Sequence, residues 1–252
     1  MSKQEAVCVI PARLESTRLP KKMLQVIDGK PLLRFVYENA KKAKKINRVV
    51  VACDHESIKA CVESFGGEAV LTRRDHQSGT ERVAEVAMNT NSEIFVNLQG
   101  YEPMMNAEVI DQVVTALQRD ISCVMSTACI SKDDPVEYAN PNVVKVVTDQ
   151  KGWALYFSRS PIPHDRDQKS TRFLKHLGIY GYRRDFLIHF ATLPPSLLEK
   201  REKLEQLRAL DHGYRIKVVE TIHDSIGVDT EDDLKQVSEK LGQMRKVGAS
   251  HA

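Results

Sequence analysis

A chain of 252 residues is long enough for one large domain or two small ones, with a sizeable core. Its 42% apolar and 28% charged residues read as a soluble globular protein, and a net charge of +3 is too mild for a nucleic-acid binder. No apolar run approaches the roughly 20 residues of a membrane span, MSKQEAVCVI carries no signal-peptide pattern, and the five cysteines form no CxxC, so reduced structural thiols in a cytoplasmic protein are expected.

In chain order, the apolar run Ala6–Pro11 predicts a buried strand. Apolar residues at 32, 33, 35, 36, 40 and 43 give Pro31–Ala43 a helical face. Val49–Cys53 predicts a second strand, and His55–Phe65 a helix closed by Gly66 and Gly67. Ala69–Leu71 predicts a strand, Thr80–Met88 a helix, Ile94–Leu98 a fourth strand and Glu108–Arg119 a helix. This alternation implies βαβ units and a mostly parallel sheet. The second half differs. Ile121–Ile130, Val143–Thr148 and Ala154–Ser158 are strand-like, and Arg172–Tyr182 alternates with period 2. There His176, Gly178, Tyr180 and Tyr182 share one face, a candidate ligand-facing surface. Glu202–Leu210 predicts a helix, Ile216–Thr221 a strand and Glu231–Met244 a closing helix. With no repeat or linker, the expectation is a single α/β domain over residues 1–252 carrying a mixed-sheet insertion.

The loop PARLESTRLPKK, Pro11 to Lys22, follows the first strand and precedes the first long helix, the phosphate position of a nucleotide fold. It holds Arg13, Arg18, Lys21 and Lys22 beside Ser16 and Thr17. Neither GxxxxGK[ST] nor GxGxxG is present, so the charge suits either a polyphosphate or a plain basic surface loop. In DHQSGTERVAE, Ser78 and Gly79 precede a helix for which Thr80 is the expected N-cap, with Arg82 in the first turn. Gln99-Gly100-Tyr101-Glu102-Pro103 is a sharp turn straight after a buried strand, where open α/β sheets place their chemistry. Lys145, inside an apolar strand, is expected to snorkel out of an edge. Arg159 is followed by two prolines and His164. Around residue 205, Leu204, Leu207 and Leu210 read as core, with Glu202, Glu205 and Gln206 on the polar side. Thr230 reads as an N-cap paired with Asp233, and Asp229 as a turn residue just outside that helix. The Cys and His spacings support no zinc site.

Each of these signals is weak alone; their order is not. IPARLESTRLPKKML, DHQSGTERVAE, VNLQGYEP, NPNVVKVV, ALYFSRSPIP, HLGIYGYR, LEQLRAL and GVDTEDDL together resemble the 3-deoxy-manno-octulosonate (Kdo) cytidylyltransferases, or CMP-Kdo synthetases, from about residue 6 to about residue 238. Sialic-acid and methylerythritol cytidylyltransferases share a basic first loop, but HLGIYGYR and LEQLR argue against both. The resemblance implies a Rossmann-like nucleotide-diphospho-sugar transferase fold. It also implies transfer of CMP from CTP to a Kdo-type sugar acid for lipopolysaccharide assembly, a Mg²⁺ requirement and a cytoplasmic homodimer. By the same resemblance, Arg13 and Lys22 match phosphate-contacting residues. Ser78, Gly79 and Arg82 match the nucleotide pocket, and Gln99, Arg159, His176, Tyr180, Glu205 and Gln206 the sugar pocket, while Asp229 matches a metal carboxylate.

The chain departs from that family at the turn after the fourth strand and in the first loop. The family writes QGDEP, and here Tyr101 replaces the Asp that would be the second metal carboxylate. Lys21 stands for a usual Gly and Met23 for a usual Pro. A phenol with a pKa near 10 is a poor Mg²⁺ ligand at neutral pH. Two alternatives therefore stand beside the main expectation: specialisation for an 8-amino octulosonate, and a catalytically weak nucleotide-binding homologue.

Overall fold

The structure, a computed structural model, describes residues 5–16, 18–167 and 170–249, with side chains up to residue 243. Thr17 of the first loop lies outside the described residues, as does the side chain of Met244.

Strand β1 (Ala6–Ala12) is buried along its whole length. A small hairpin, β2 (Val26–Ile27) and β3 (Lys30–Pro31), turns on Asp28 and Gly29, both at positive φ, as tight two-residue hairpins require. Helix α1 (Leu32–Ala40), β4 (Arg48–Cys53), α2 (Glu56–Ser64), β5 (Ala69–Leu71), α3 (Gly79–Met88), β6 (Ile94–Leu98) and α4 (Ala107–Arg119) complete the alternating half. The second half runs β7 (Met125–Asp133), α5 (Pro135–Ala139), β8 (Lys145–Thr148), β9 (Ala154–Ser158), β10 (Arg172–Arg183), α6 (Arg184–Phe190), α7 (Leu197–Glu202), α8 (Gln206–Asp211), β11 (Ile216–Thr221) and α9 (Glu231–Ala249). No described helix is long and apolar enough to cross a membrane.

Among the described residues the main sheet has nine strands, ordered β11-β7-β10-β6-β1-β4-β5, with β8 joining β10 to β9. The block β5-β4-β1-β6 is parallel throughout. Strand β10 enters antiparallel to both β6 and β7, and β11 runs parallel to β7. The expected mostly parallel sheet with a mixed second half is therefore present. Both faces of β1 are covered, which is why it reads as an unbroken apolar run. Ala6, Cys8 and Ile10 pack under α1, α2 and α4, while Val7 and Val9 pack under α3 and α6.

Four expectations need correction. The predicted helix Glu202–Leu210 is two helices, because Ser196 starts α7 early with a capping box and Lys203 then takes a left-handed φ of 54°. The break delivers Glu205 and Gln206 together at the start of α8. In β10 the period-2 pairing with β7 is interrupted at Gly178 and Ile179. Tyr182, expected on the ligand face, is instead core against Phe186 and Phe190. Thr80 is not the N-cap of α3; Ser78 is, accepting from the Glu81 amide at 3.2 Å.

Lys145 does not snorkel. It is fully buried, and its ammonium donates to the carbonyls of Asn140 (3.0 Å), Val143 (2.7 Å) and Arg159 (2.6 Å). Burial lowers its pKa, and these carbonyls replace the water it lost. It ties the start of β8 to the end of β9. Lys145→Met is expected to cost about 2 kcal/mol of stability by leaving those carbonyls undonated. Urea unfolding monitored by circular dichroism checks this.

Candidate active site

The C-terminal ends of parallel strands leave the cleft that α/β sheets use for ligands. Here it has a volume of about 1090 Å³. Its walls are the turn after β6, the N-terminus of α3, the middle of β10, the α7–α8 junction and the loop leading into α9. Of the residues singled out from sequence, Gly79, Gln99, Arg159, His176, Tyr180, Glu205, Gln206 and Asp229 line it. A Cβ on Gly79 would stand 3.2 Å from the Pro11 side chain, so this position lets the α3 terminus approach the first loop.

One end of the cleft is a chain of neutral and acidic hydrogen bonds. Gln99 Nε2 donates to Asn97 Oδ1 (3.0 Å), Asn97 Nδ2 donates to Thr80 Oγ1 (3.2 Å), and Thr80 Oγ1 donates to Glu205 Oε2 (2.5 Å). Asn97 went unnoticed in the sequence, although a polar residue within the buried run IFVNL is a signal. Among the described residues, Glu205 Oε1, 3.6 Å from Arg208 Nη2, and Gln206 Nε2 are buried without a hydrogen-bond partner. Such orphan atoms in a cleft wall are what a polyhydroxylated ligand satisfies. His176 sits between Phe157 and Tyr180, with ring centroids 5.0 and 5.4 Å away, and its Nε2 meets Thr127 Oγ1 at 2.9 Å. Burial pulls its pKa down to about 3, so the imidazole is neutral at pH 7. Thr127 Oγ1 donates onward to the Ile179 carbonyl (2.7 Å), which fixes the β10 irregularity beneath the cleft. Arg159 is braced by the Glu202 carbonyl (Nε, 2.6 Å) and the Pro141 carbonyl (Nη1, 3.0 Å).

The other end is charged. Lys22 Nζ, only 10% exposed, lies 2.7 Å from Asp229 Oδ1, and Arg18 Nη2 lies 3.0 Å from Asp229 Oδ2. Lys22 Nζ also sits 4.3 Å from the centre of the Tyr101 ring. Tyr101 is joined to this loop by backbone, its carbonyl accepting from the Val228 amide at 2.8 Å. Burial pushes the phenol pKa further up, so it stays protonated. Lys21 holds a left-handed φ of 50° here, which costs an L residue about 1 kcal/mol. Lys21→Gly is therefore expected to gain about 0.5 kcal/mol once the unfolded-state entropy of Gly is counted; chemical denaturation checks the sign.

Glu102 points away from Asp229's partners. It is buried and accepts from the Ser225 hydroxyl. Burial pushes its carboxyl up to about 7, with the Ser225 hydrogen bond acting in the opposite direction. The folded state then keeps this proton at a pH where the unfolded carboxyl, near 4.5, has lost it. Its stabilising contribution is full below the unfolded pKa and is lost as pH rises through about 7. Glu102→Gln is expected to flatten the fall in stability over that window, as read from urea midpoints at several pH values.

Arg13, Lys22, Ser78 and Arg82 are not part of the cleft wall. Lys22 reaches it through Asp229 and Tyr101. Arg82 is fully buried; it donates to the Arg73 carbonyl (3.0 Å) and to Thr72 Oγ1, and its Nη2 lies 3.6 Å from Asp54. Burial lowers its pKa, Asp54 opposes that shift, and Arg13 adds to it. Asp54 in turn accepts from the Leu14 amide (3.0 Å), so Arg82 braces the first loop from behind. Among the described residues no group of three or more His, Cys, Asp or Glu side chains is placed to hold a metal ion.

Residues 7–220 match the family model described as cytidylyltransferase. The 3-deoxy-manno-octulosonate cytidylyltransferase of Geobacter sulfurreducens is 50% identical over 244 residues, 92% of this chain and 98% of that protein. The protein of the same name from Solibacter usitatus is 51% identical over 231 residues, 91% of this chain and 92% of that protein. A solved CMP:2-keto-3-deoxy-manno-octonic acid synthetase complexed with CTP superposes with a TM-score of 0.91 at 42% identity, covering 95% of this chain and 99% of that one. A sheet of this order, a cleft built by these motifs and relatives this similar over nearly the whole chain lead to one conclusion: the chain belongs to the 3-deoxy-manno-octulosonate cytidylyltransferase family.

Proposed function

We infer that the protein transfers CMP from CTP to a Kdo-type sugar acid and releases pyrophosphate. The observation that carries this is the two-ended cleft, with a cationic edge at Arg18, backed by Lys22 through Asp229, and a polar wall at Gln99, Glu205 and Gln206. The relatives' names supply the chemistry that joins the two ends. The anomeric hydroxyl of the sugar attacks the α-phosphorus, a new P–O bond forms, the bond to the β-phosphate oxygen breaks, and the hydroxyl proton is released. Little covalent chemistry falls to the protein, so catalysis is positioning and charge neutralisation. Lys22 and Arg18 meet the triphosphate, with Arg13 and Arg82 supporting the loop that carries them. Ser78 caps α3 and Gly79 brings its first turn to the cleft, where backbone amides serve the nucleotide. Gln99, Arg159, His176, Tyr180, Glu205 and Gln206 hold the sugar, the neutral imidazole acting as a hydrogen-bonding wall and not as a charge.

The Mg²⁺ that the resemblance implies does not fit the donor set. Both oxygens of Asp229 are engaged by cations, Tyr101 is a protonated phenol, and Glu102 is bonded to Ser225. Both halves of the chain contribute walls to the cleft, which supports a single domain over 1–252. A homodimer in the cytoplasm serving lipopolysaccharide assembly completes the proposal. The names the relatives share favour neither the 8-amino sugar nor a binding-only role. Steady-state pyrophosphate release with CTP and Kdo tests the reading, and CTP binding without turnover on any sugar acid would overturn it.

A further inference from the structure

We propose that the cationic centre at the triphosphate edge is built from the protein's own side chains, Lys22 and Arg18 clamped on Asp229 above the Tyr101 ring, so that CTP binds without a divalent ion. This rests on the cytidylyltransferase reading and deepens it.

Asp229 has no free oxygen. Lys22 Nζ holds Oδ1 at 2.7 Å and Arg18 Nη2 holds Oδ2 at 3.0 Å. Of the neighbouring carboxylates, Asp233 Oδ2 is taken by the Asp229 and Thr230 amides at 3.0 and 2.8 Å and Glu102 Oε2 by the Ser225 hydroxyl, and the position before Glu102 carries no acid. Tyr101 presents a ring face, and the Lys22 ammonium lies 4.3 Å from its centre, within the range where an aromatic face attracts a cation. The ring is wedged: its Cδ2 would stand 3.3 Å from a Cβ on Gly227, and its carbonyl accepts from the Val228 amide. Moving it aside means moving the loop that carries Asp229. Glu102 is turned to Ser225 and packs against Gly227, where a Cβ would meet its Oε1 at 3.1 Å.

Charge arithmetic points the same way. A divalent ion on two carboxylates is neutral as a unit. Two side-chain cations on one carboxylate leave one positive charge facing the polyphosphate. The two cations also divide the work by exposure: Lys22, 10% exposed, is fixed, whereas Arg18, 63% exposed, is free to turn from Asp229 to a phosphate as a bidentate donor. Mg²⁺ dehydrates reluctantly and would have to compete with Lys22 or Arg18 for whichever Asp229 oxygen it took.

Calorimetric titration of the full-length protein with CTP, in EDTA and again in excess MgCl₂, tests this. The two Kd values are expected to agree within about threefold, a difference well under 1.4 kcal/mol. Weakening by about tenfold or more in EDTA would overturn the proposal, because it would mean that the cations re-pair to phosphate and Asp229 takes the ion. Tyr101→Phe keeps the ring and is expected to bind equally in both buffers; metal coupling in this variant would overturn the ring's role. Tyr101→Asp supplies a second carboxylate and is expected to bind CTP at least about tenfold tighter with Mg²⁺ than with EDTA. A folded Tyr101→Asp indifferent to Mg²⁺ would also overturn it. No CTP binding by the parent in either buffer would defeat the cytidylyltransferase reading itself, an outcome separate from metal-dependent binding.

Discussion

Lys22→Ala is expected to lower kcat/KM by about 10²–10³-fold, or roughly 2.7–4 kcal/mol of transition-state stabilisation. The magnitude is that of removing one preorganised donor from a site where charge develops. Preorganisation is visible in the geometry. The Lys22 ammonium is nine-tenths enclosed, set by Asp229 on one side and by the Tyr101 ring on another. On the proposed reading it would meet a departing pyrophosphate with little reorganisation. Lys22→Arg should rescue poorly, because a planar fork cannot reproduce both the Asp229 contact and the seat over the ring. Pre-steady-state product formation separates the chemical step from release. A loss confined to KM would show that Lys22 contributes only uniform binding.

Asp229→Ala is expected to lower kcat by about 10³-fold while the KM for CTP stays level or falls. The carboxylate places two cations; without it Lys22 and Arg18 still attract the triphosphate but no longer hold it in line. Loss of alignment falls on kcat, because misplacement of reacting groups by about 1 Å costs on the order of 10²-fold. The freed positive charge offsets any loss of ground-state affinity. A carboxylate that acted instead through a metal bound to the nucleotide would raise the KM for CTP on removal. Initial rates over a CTP series at saturating Kdo decide between the two.

Much of this molecule was legible in its residues. The buried strands announced themselves as continuous apolar runs, since a parallel strand covered on both faces has no polar side to alternate with. Helices α1 to α4 were readable from period and caps, with Gly66 ending α2 at a φ of 77°. The cleft residues followed from motif order, and most of them line one cavity. Other features were hidden for definite reasons. Lys145 looked like an edge lysine because sequence cannot show three carbonyls converging from Asn140, Val143 and Arg159. The first-turn position of Arg82 does not reveal its depth; packing buries it fully, with its Nη2 3.6 Å from Asp54. Tyr182 shares a face with Tyr180, their ring centroids 6.2 Å apart, but helix α6 covers the Tyr182 end of that face with Phe186 and Phe190 and makes it core.

The order of motifs determined, without any coordinates, the family, the reaction class and the one odd residue at the catalytic edge. Hydrophobic pattern and turn chemistry are local properties, so they survive in one dimension. Pairings between distant segments do not. That Asp229 is spent on Lys22 and Arg18, across a separation of about 200 residues, is decided only when the loop before α9 closes over the turn after β6. The same closure seats the Lys22 ammonium on the Tyr101 ring. A tyrosine that reads in sequence as a missing metal ligand is, in three dimensions, the floor beneath a lysine.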